Sequence, residues 1–250
     1  MTMDISLITI CWNSVNTLER TVQSVLAQTV RPRDYVFVDG GSTDGTLELA
    51  DSLVHQLEAA GVRSGIIHQE RVTGEAGIPS AWNQGMAKVT GDVIGLINSD
   101  DWYEPEALET VSGLLADHPK AGMLAAPVRF ISPRTGEGCR VFRPVAAWQL
   151  PFRMILPHPG LFVRRITYEN VGSYDTRYRI SADYDFVWRC HEAGIGMAVA
   201  PEPLVNMELG GLANSSRALA RQETLDIARR HCRIPVLPWL AWLARTITGR

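Results

Sequence analysis

The chain has 250 residues, which is enough for one sizeable hydrophobic core. Its composition, 46% hydrophobic and 20% charged, is that of an ordinary globular protein, and a net charge of −3 argues against nucleic acid as a partner. Lys88 and Lys120 are the two lysines, so phosphate recognition would depend on arginine, backbone amides or a metal ion.

The first half of the chain alternates strand-like and helix-like segments. A β-branched apolar run from Asp4 to Cys11 precedes apolar residues at helical spacing from Leu18 to Leu26. The same order recurs with a strand-like run at Tyr35 to Val38 and helical spacing from Leu49 to Leu57. This repetition predicts βαβ units, and therefore an α/β fold with a mixed, mainly parallel sheet flanked by helices.

Three further elements follow in this half: a strand at Gly65 to His68, a helix at Ala81 to Val89 and a buried strand at Val93 to Ile97. In open α/β sheets, ligands bind beyond the carboxyl ends of the strands. The polar residues expected to gather along that edge are Asn13, Asp39 to Asp44, the region of Glu70, and Asn98 to Asp101.

The second half loses the strict alternation. Apolar runs at Met123 to Ile131 and Arg140 to Phe142 are separated by turn residues and predict a hairpin-like excursion. A helix from about Tyr184 to Gly194 and a strand at Met197 to Ala200 are expected after it.

Two adjacent carboxylates, Asp100 and Asp101, directly follow the buried strand. Oxygen ligands of this kind suit Mg²⁺ or Mn²⁺, which bind a nucleotide diphosphate through one or two carboxylates plus phosphate oxygens. The alternative is that both side chains only cap the helix that opens near Glu104.

A second polar turn runs from Val38 to Thr46 and reads V-D-G-G-S-T-D-G-T. A carboxylate at the end of a strand, such as Asp39, can accept hydrogen bonds from a nucleobase or ribose, and the glycines allow close approach of the backbone. A simple connection between strand and helix would have the same composition. The turn is neither a G-x-G-x-x-G fingerprint nor a Walker loop, which argues against dinucleotide cofactors and ATP hydrolysis.

Together these segments resemble the family-two glycosyltransferases of the GT-A fold. The opening strand, the V-D-G-x-S-x-D-G-T turn and a D-x-D-type metal motif occur in the same order, and residues 77–85 resemble the family's G-I-Y-D-A-M-N-K-G stretch. The resemblance spans Ile5 to Met207 and is closest to bacterial enzymes of cell-surface polysaccharide synthesis.

The resemblance implies roles for residues of the first half. Asp100 and Asp101 would share the ribose and metal contacts, with Mn²⁺ or Mg²⁺ as the cofactor; Asn98 stands where the family more often has the first aspartate. The residues implied in nucleotide binding are Thr9, Cys11, Asn13, Asp39, Arg71, Glu75 and Asp100. For Arg71 the alternative is an ion pair at the surface.

Further on, residues 181–189 are similar to the family's E-D-Y-D-L-W-L-R segment, in which the first aspartate is the catalytic base. Asp183 is therefore the implied base, while His158, in an H-x-x-x-F stretch, and Asp185 would lie on the acceptor or diphosphate side. Without the resemblance, the two aspartates would be first-turn carboxylates that favour the helix dipole, and the histidine would be structural.

The implied function is an inverting transfer of a sugar from a nucleotide diphosphate, with UDP-sugars the commoner donors, to a hydroxyl of a glycan or lipid-linked acceptor. One alternative is a degenerate homologue that binds nucleotide sugar or glycan without turnover, because Asn98, Pro79 and Ser80 depart from the family pattern. Another is a nucleotidyltransferase, although residues 11–14 lack the glycine-rich basic turn expected there.

The implied domain organisation is a catalytic domain at residues 1–210, with a nucleotide-binding half at 1–103 and an acceptor half at 104–210. Residues 211–250 would form a lid and an amphipathic helical tail. Residues 236–244 are apolar but too few to span a bilayer. Flanking arginines suit contact of residues 234–250 with an anionic membrane surface, while packing on the domain or on a partner subunit is the alternative.

The start of the chain lacks the pattern of a secretory signal, which predicts a cytoplasmic protein, free or at the inner face of the membrane.

Overall fold

The structure, a computed structural model, describes residues 3–69, 77–209, 217–234 and 236–248. The strands are β1 (Ile5–Cys11), β2 (Asp34–Asp39), β3 (Arg63–His68), β4 (Val93–Asn98), β5 (Trp102–Tyr103), β6 (Ala121–Ala125), β7 (Val128–Ile131), β8 (Gly138–Phe142), β9 (Leu161–Arg164), β10 (Gly196–Val199) and β11 (Val205–Glu208). The helices are α1 (Leu18–Leu26), α2 (Thr46–Ala59), α3 (Ile78–Met86), α4 (Ala107–Asp117), α5 (Arg165–Val171), α6 (Ala182–Glu192), α7 (Arg217–His231) and α8 (Val236–Thr248).

A seven-stranded sheet in the order β10-β6-β9-β4-β1-β2-β3 forms the centre of the molecule. All neighbouring pairs are parallel except those of β9, which runs antiparallel to both β4 and β6. The predicted mixed, mainly parallel sheet is therefore confirmed. The antiparallel strand between β4 and β6 was not foreseen.

Helices cover both faces of the sheet because successive side chains of the buried strands point to opposite sides. Leu7 belongs to a core cluster with residues of α1, α2 and α4, among them Leu18 and Leu53. Its neighbour Ile8 belongs to the cluster on the other face, with Trp82 of α3 and Phe186 of α6. Burial on both faces explains why β1 and β4 read as continuous apolar runs.

A second, smaller sheet in the order β5-β11-β7-β8 lies in the second half of the fold. The predicted hairpin is present as the antiparallel pair β7 and β8. The run from Met123 to Ile131 is not one strand, however, because β6 belongs to the central sheet and β7 to the second sheet. The sequence pattern also did not indicate β5 and β11, which are only two and four residues long.

The C-terminal part contains two helices rather than the one predicted. The tail helix is present as α8, and α7 precedes it with a polar sequence that shows little amphipathic pattern. Residues of α7 and α8, including Ala228, Pro238 and Trp242, line a common crevice, so α8 lies against α7. The proposed lid at residues 210–216 lies outside the described residues. Within the described ranges, no helix is both long enough and apolar enough to cross a membrane.

Candidate functional site

The loops that follow β1, β2 and β4 meet at the carboxyl edge of the sheet. The Asn13 backbone N–H donates to Ser42 Oγ at 2.9 Å, and the Thr43 N–H donates to Asn13 Oδ1 at 2.9 Å. Ser14 Oγ and Ser99 Oγ are 2.8 Å apart, which connects the first loop to the one after β4. The expected gathering of polar residues at this edge is confirmed for these three loops, while the region of Glu70 lies outside the described residues.

Asn13 has a backbone φ of +51°, in the left-handed region that asparagine tolerates better than most residues. This conformation turns the chain sharply after β1 and presents the side-chain oxygen to the neighbouring loop. Asn13 itself is exposed at the edge, where a ligand can reach it.

Asp39, at the end of β2, organises its own turn. Its Oδ2 accepts hydrogen bonds from the backbone N–H groups of Gly41 (2.7 Å) and Ser42 (2.9 Å), and its Oδ1 accepts one from Ser42 Oγ at 2.5 Å. A carboxylate offers about four acceptor positions, so about one remains for a ligand.

Thr9 and Cys11 lie beneath this turn. Both side chains are buried; Thr9 Oγ1 is 2.6 Å from the hydroxyl of Tyr35 inside the core. Burial, and after it the charge of Asp39, raises the pKa of the Cys11 thiol well above its ordinary value. Thr9 has no exposed surface, and its place under the base or ribose stays a prediction.

Asp101 is completely buried at the end of β4. Its Oδ2 accepts a hydrogen bond from Asn98 Nδ2 at 3.0 Å, while Oδ1 has no hydrogen-bond partner of normal geometry among the described residues. Burial, and after it the charge of Asp100, raises the pKa of Asp101, although Asn98 and the nearby Glu208 amide favour the ionised form. Asp100 is half-buried, and burial followed by the charge of Glu208 raises its pKa too.

Arg20 of α1 partly balances this negative charge. Its guanidinium lies over the Trp102 ring at 3.9 Å and donates to the Asp100 carbonyl at 3.0 Å. The same group pairs with Glu208 of β11 at 2.8 Å. Glu208 was missed in the sequence, because its proximity to Asp100 depends on β11 pairing with β5.

The carboxyl groups at this edge fit a hard divalent cation. The donor atoms are oxygens, and one buried carboxylate oxygen of Asp101 has no hydrogen-bond partner of normal geometry among the described residues, which suits a metal-ligand atom. The described residues contain no group of three or more acidic, histidine or cysteine side chains arranged around one metal position. Mg²⁺ and Mn²⁺ commonly complete their coordination with substrate phosphates and water, so two carboxylates are sufficient.

Asp183 lies in the first turn of α6, where its Oδ1 accepts a hydrogen bond from the Tyr184 N–H at 2.8 Å. Burial raises the pKa of this carboxyl to about 6. A carboxylate with that pKa is ionised at neutral pH and is a stronger base than an ordinary aspartate.

His158 lies in a 3-10 turn (His158–Gly160) immediately before β9. Because β9 is antiparallel to β4, with Phe162 opposite Gly95, this turn is brought to the edge where β4 ends. The imidazole packs on the Trp82 ring at 4.4 Å, and neither ring nitrogen has a hydrogen-bond partner among the described residues. Burial lowers its pKa to about 4, so the ring is neutral at pH 7.

The carboxylate of Asp185 contacts side chains of α6 and α7. Its Oδ2 accepts from Arg189 Nε at 2.7 Å, its Oδ1 is 3.3 Å from His231 Nε2, and the residue is buried. Residues two apart on a helix face different directions, so Asp185 points to α7 rather than sharing the direction of Asp183. Its carboxylate joins α6 to α7, and its role on the acceptor or diphosphate side stays a prediction. Arg71 and Glu75 lie outside the described residues.

Comparison with known proteins identifies the family. Residues 6–147, more than half of the chain, match the model of the family described as Glycosyl transferase family 2. The chain belongs to this family.

Curated relatives of the chain are also named glycosyltransferases. A PGL/p-HBAD biosynthesis glycosyltransferase of Mycobacterium bovis (strain BCG / Pasteur 1173P2) is 32% identical over 181 residues, which cover 71% of this chain and 66% of the relative. An uncharacterized glycosyltransferase of Nostoc sp. is 29% identical over 196 residues, covering 72% of this chain and 57% of that protein. The match thus spans 57–66% of the length of these two relatives, which is less than two thirds.

Solved structures show that this family 2 chain has the GT-A fold. S. aureus TarS (residues 1–349), in complex with UDP-GlcNAc, superposes with a TM-score of 0.72 at 16% identity, covering 98% of this chain and 73% of that one. The mannosyltransferase PcManGT from Pyrobaculum calidifontis, in complex with GDP-Man and Mn²⁺, gives a TM-score of 0.71 at 17% identity, covering 98% and 69%.

Proposed function

We propose that this family 2 member is an inverting glycosyltransferase that moves a sugar from a nucleotide diphosphate to an acceptor hydroxyl. The observation that carries the proposal is the buried Asp101 carboxylate with an unpartnered oxygen at the edge where the β1, β2 and β4 loops meet. Family membership and the GT-A fold support the same reaction class.

The donor would bind along this edge, with the base and ribose near Asn13 and Asp39 and the diphosphate near Asp100 and Asp101. Asp100 and Asp101 would hold Mn²⁺ or Mg²⁺, which would neutralise negative charge on the departing diphosphate. Preorganised positive charge at that position favours the transition state over the ground state. TarS was solved with UDP-GlcNAc and PcManGT with GDP-Man and Mn²⁺, and we propose a UDP-sugar as the donor here.

Asp183 would act as the general base. Its carboxylate would take the proton of the acceptor hydroxyl while the acceptor oxygen forms a bond to the anomeric carbon of the sugar. The bond from that carbon to the diphosphate breaks on the opposite side, and the diphosphate leaves with the electron pair. A single displacement of this kind inverts the anomeric configuration.

The acceptor is proposed to be a glycan or glycolipid at a membrane surface. The name of the mycobacterial relative, a PGL/p-HBAD biosynthesis enzyme, supports an acceptor of this class. A strip of exposed apolar residues on and beside α8 supports membrane contact: Ile234, Val236, Trp239, Leu240 and Leu243 are each about half exposed, at 47–54%. Arg229 lies 5.2 Å from the Trp239 ring, and the chain after Asp226 contains arginines but no acidic residue. Such a surface suits anionic lipid.

The departures from the family pattern give the degenerate-homologue alternative little support. Asn98 stands in place of the usual aspartate and donates a hydrogen bond to Asp101, so it orients the Asp101 carboxylate. Pro79 lies in the first turn of α3, where proline is well tolerated, and Ser80 is buried beside it. The family match likewise gives no support to a nucleotidyltransferase.

Donor binding tests the metal and nucleotide parts of the proposal. Calorimetry with UDP, UDP-sugars and GDP, each with and without Mn²⁺, is expected to show binding that depends on the metal. Asp101→Ala should weaken it about tenfold or more, because a buried ligand oxygen is lost. Asp117→Ala, which removes an exposed carboxylate at the end of α4, is the matched control and should bind normally. Absence of binding by any nucleotide would contradict the proposed function.

A further inference from the structure

Glu223 of α7 makes an unusual contact with the segment that leads to Asp183. Its Oε1 accepts a hydrogen bond from the Arg179 N–H at 2.8 Å, and its Oε2 accepts from the N–H groups of Ile180 and Ser181, both at 2.9 Å. The Glu223 residue is only 7% exposed. One buried carboxylate therefore holds three consecutive backbone amides of a segment more than forty residues away in sequence.

These amides lie at the start of α6, immediately before the residue proposed as the base. Ser181 is the N-cap of α6, yet its side chain makes no capping hydrogen bond and instead reaches the Ala220 carbonyl of α7 at 3.4 Å. The first N–H groups of a helix need acceptors from outside the helix, and the carboxylate of Glu223 accepts from those just before and at the cap. The start of α6 is thus fixed by α7 rather than by its own cap.

We propose that Glu223 is a positioning residue for Asp183, holding the first turn of α6 so that the Asp183 carboxyl faces the acceptor hydroxyl. The inference rests on the proposed function, in which Asp183 is the general base. Helix α7 lies beyond the region matched by the family model, and through Glu223 it would take part in catalysis. General-base catalysis needs the carboxylate within hydrogen-bond reach of the proton, and a misplacement of about 1 Å can cost up to 100-fold in rate.

The same contact has an electrostatic consequence. Among the described residues, Glu223 from α7 and Tyr174 from the loop before α6 interact electrostatically with the Asp183 carboxyl. Burial is the main cause of the raised pKa of Asp183, and the negative charge of Glu223 raises it further. Removal of that charge is therefore expected to lower the pKa of Asp183 and to make it a weaker base.

Asp226, one turn further along α7, provides a matched control. It accepts a hydrogen bond from the Tyr178 hydroxyl at 3.1 Å and pairs with Arg230 at 3.0 Å. Its removal also takes one negative charge from the same helix, next to the same segment. Its hydrogen bonds, however, go to side chains and leave the amides of residues 179–181 with Glu223.

The first experiment compares sugar transfer by the wild type, Glu223→Gln, Glu223→Ala and Asp226→Asn between pH 5 and 8. For Glu223→Gln we expect kcat to fall about tenfold or more, the donor KM to stay unchanged, and the acid limb of kcat/KM to move to lower pH. Asp226→Asn should have the same kcat as the wild type and the same acid limb of kcat/KM. Glu223→Gln retains an acceptor oxygen, so it tests the proposal in folded protein even if Glu223→Ala does not fold. A Glu223→Gln enzyme with wild-type kcat and an unmoved limb would overturn the proposal.

The second experiment measures the Asp183 carboxyl without turnover. A ¹³C NMR titration of aspartate side-chain carboxyls, with the Asp183 resonance assigned by its loss in Asp183→Asn, should give a lower pKa in Glu223→Gln than in the wild type and Asp226→Asn. If the wild type transfers no sugar but this shift occurs, the proposed function fails and the contact between Glu223 and Asp183 stands. If the pKa is the same in all three proteins, the inference fails, whatever the activity.

Discussion

Asp183 differs from an ordinary aspartate because burial raises its pKa to about 6, while its position in the first turn of α6 keeps a backbone N–H on one oxygen. The carboxyl must be ionised to accept a proton, so kcat/KM is expected to be constant near pH 7 to 8 and to fall as the pH drops through about 6.

Asp183→Asn should reduce sugar transfer by about 10²–10⁴-fold, the usual contribution of a general base, and leave donor binding unchanged. Initial rates and calorimetry with the same donor measure the two effects. Equal losses of transfer and donor binding would indicate a structural role instead.

Asp34, at the start of β2, is a buried carboxylate of purely structural importance. Its Oδ2 accepts hydrogen bonds from Ser6 Oγ at 2.7 Å and the Thr90 N–H at 2.6 Å, and the side chain pairs with Arg63 at 2.6 Å. Burial by itself raises the pKa of Asp34, but the hydrogen bonds from Thr90 and Ser6 and the charge of Arg63 outweigh it, and the pKa is lowered.

A lowered folded-state pKa means that the ionised form stabilises the fold above the unfolded-state pKa of about 4, and that this stability is lost as the pH falls through the folded value. Asp34→Ala is expected to reduce the free energy of unfolding by about 2–4 kcal/mol at pH 7, because buried donors lose their acceptor. Denaturant unfolding of Asp34→Ala and the wild type should show a smaller difference in the free energy of unfolding at pH 3 than at pH 7. An equal difference at the two pH values would contradict a stabilising role of the ionised Asp34 carboxylate.

At the scale of the element, the packing of α3 on the central sheet depends on a residue without a side chain. A Cβ at Gly85 would lie 2.5 Å from a methyl group of Ile8 and 3.2 Å from one of Val38. The helix therefore approaches β1 and β2 more closely than any larger residue allows. This approach positions the chain that continues into β4 and its carboxylates.

Gly85→Ala should destabilise the protein by about 1–3 kcal/mol, the usual cost of overpacking a core. Gly113→Ala in α4 is the control: nothing lies within 4 Å of the added Cβ, and the position is exposed. There alanine should be neutral or stabilising by up to about 1 kcal/mol, because alanine favours the helix. Thermal unfolding measures the stability of both variants. Equal stability of Gly85→Ala and Gly113→Ala would contradict the close approach of α3 to β1 and β2.

At the scale of the whole molecule, charge is distributed unevenly. The chain has a net charge of −3, yet residues after Asp226 contain arginines and no acidic side chain. The exposed apolar residues of α8 lie in this basic part, while Trp242 and Pro238 of the same helix face α7. One side of α8 thus packs on its own domain and the other is exposed, while contact of the exposed side with a membrane stays a prediction.

The exposed side of α8 is expected to bind vesicles that contain anionic lipid, and to do so less at high salt because the arginines are screened. The double variant Leu240→Ser with Leu243→Ser should bind about tenfold or more weakly, since two half-exposed leucines no longer enter the interface. Ile166→Ser, at a similarly exposed apolar residue on α5, should bind as the wild type does. Co-sedimentation with vesicles measures this, and equal binding by the three proteins would contradict the proposal.

The sequence by itself determined the first half of the fold and the edge at which the candidate site lies. β1, β2 and β4 are buried on both faces and therefore read as apolar runs, and parallel strands bring the residues after them to one edge whatever the rest of the chain does. Asn13, Asp39 and the Asp100–Asp101 pair were predicted as site residues in this way, since each lies at the end of such a strand or in the loop after it.

Only the tertiary structure decided which side chains from distant segments meet. The proximity of Glu208 to Asp100 requires the pairing of β11 with β5, and the contact of Glu223 with the start of α6 requires the docking of α7. The contact of Asp185 with His231 of α7 likewise does not follow from the local pattern around Asp185. Local patterns encode burial and turn chemistry within a few residues, whereas these contacts join segments far apart in sequence and depend on how the elements pack.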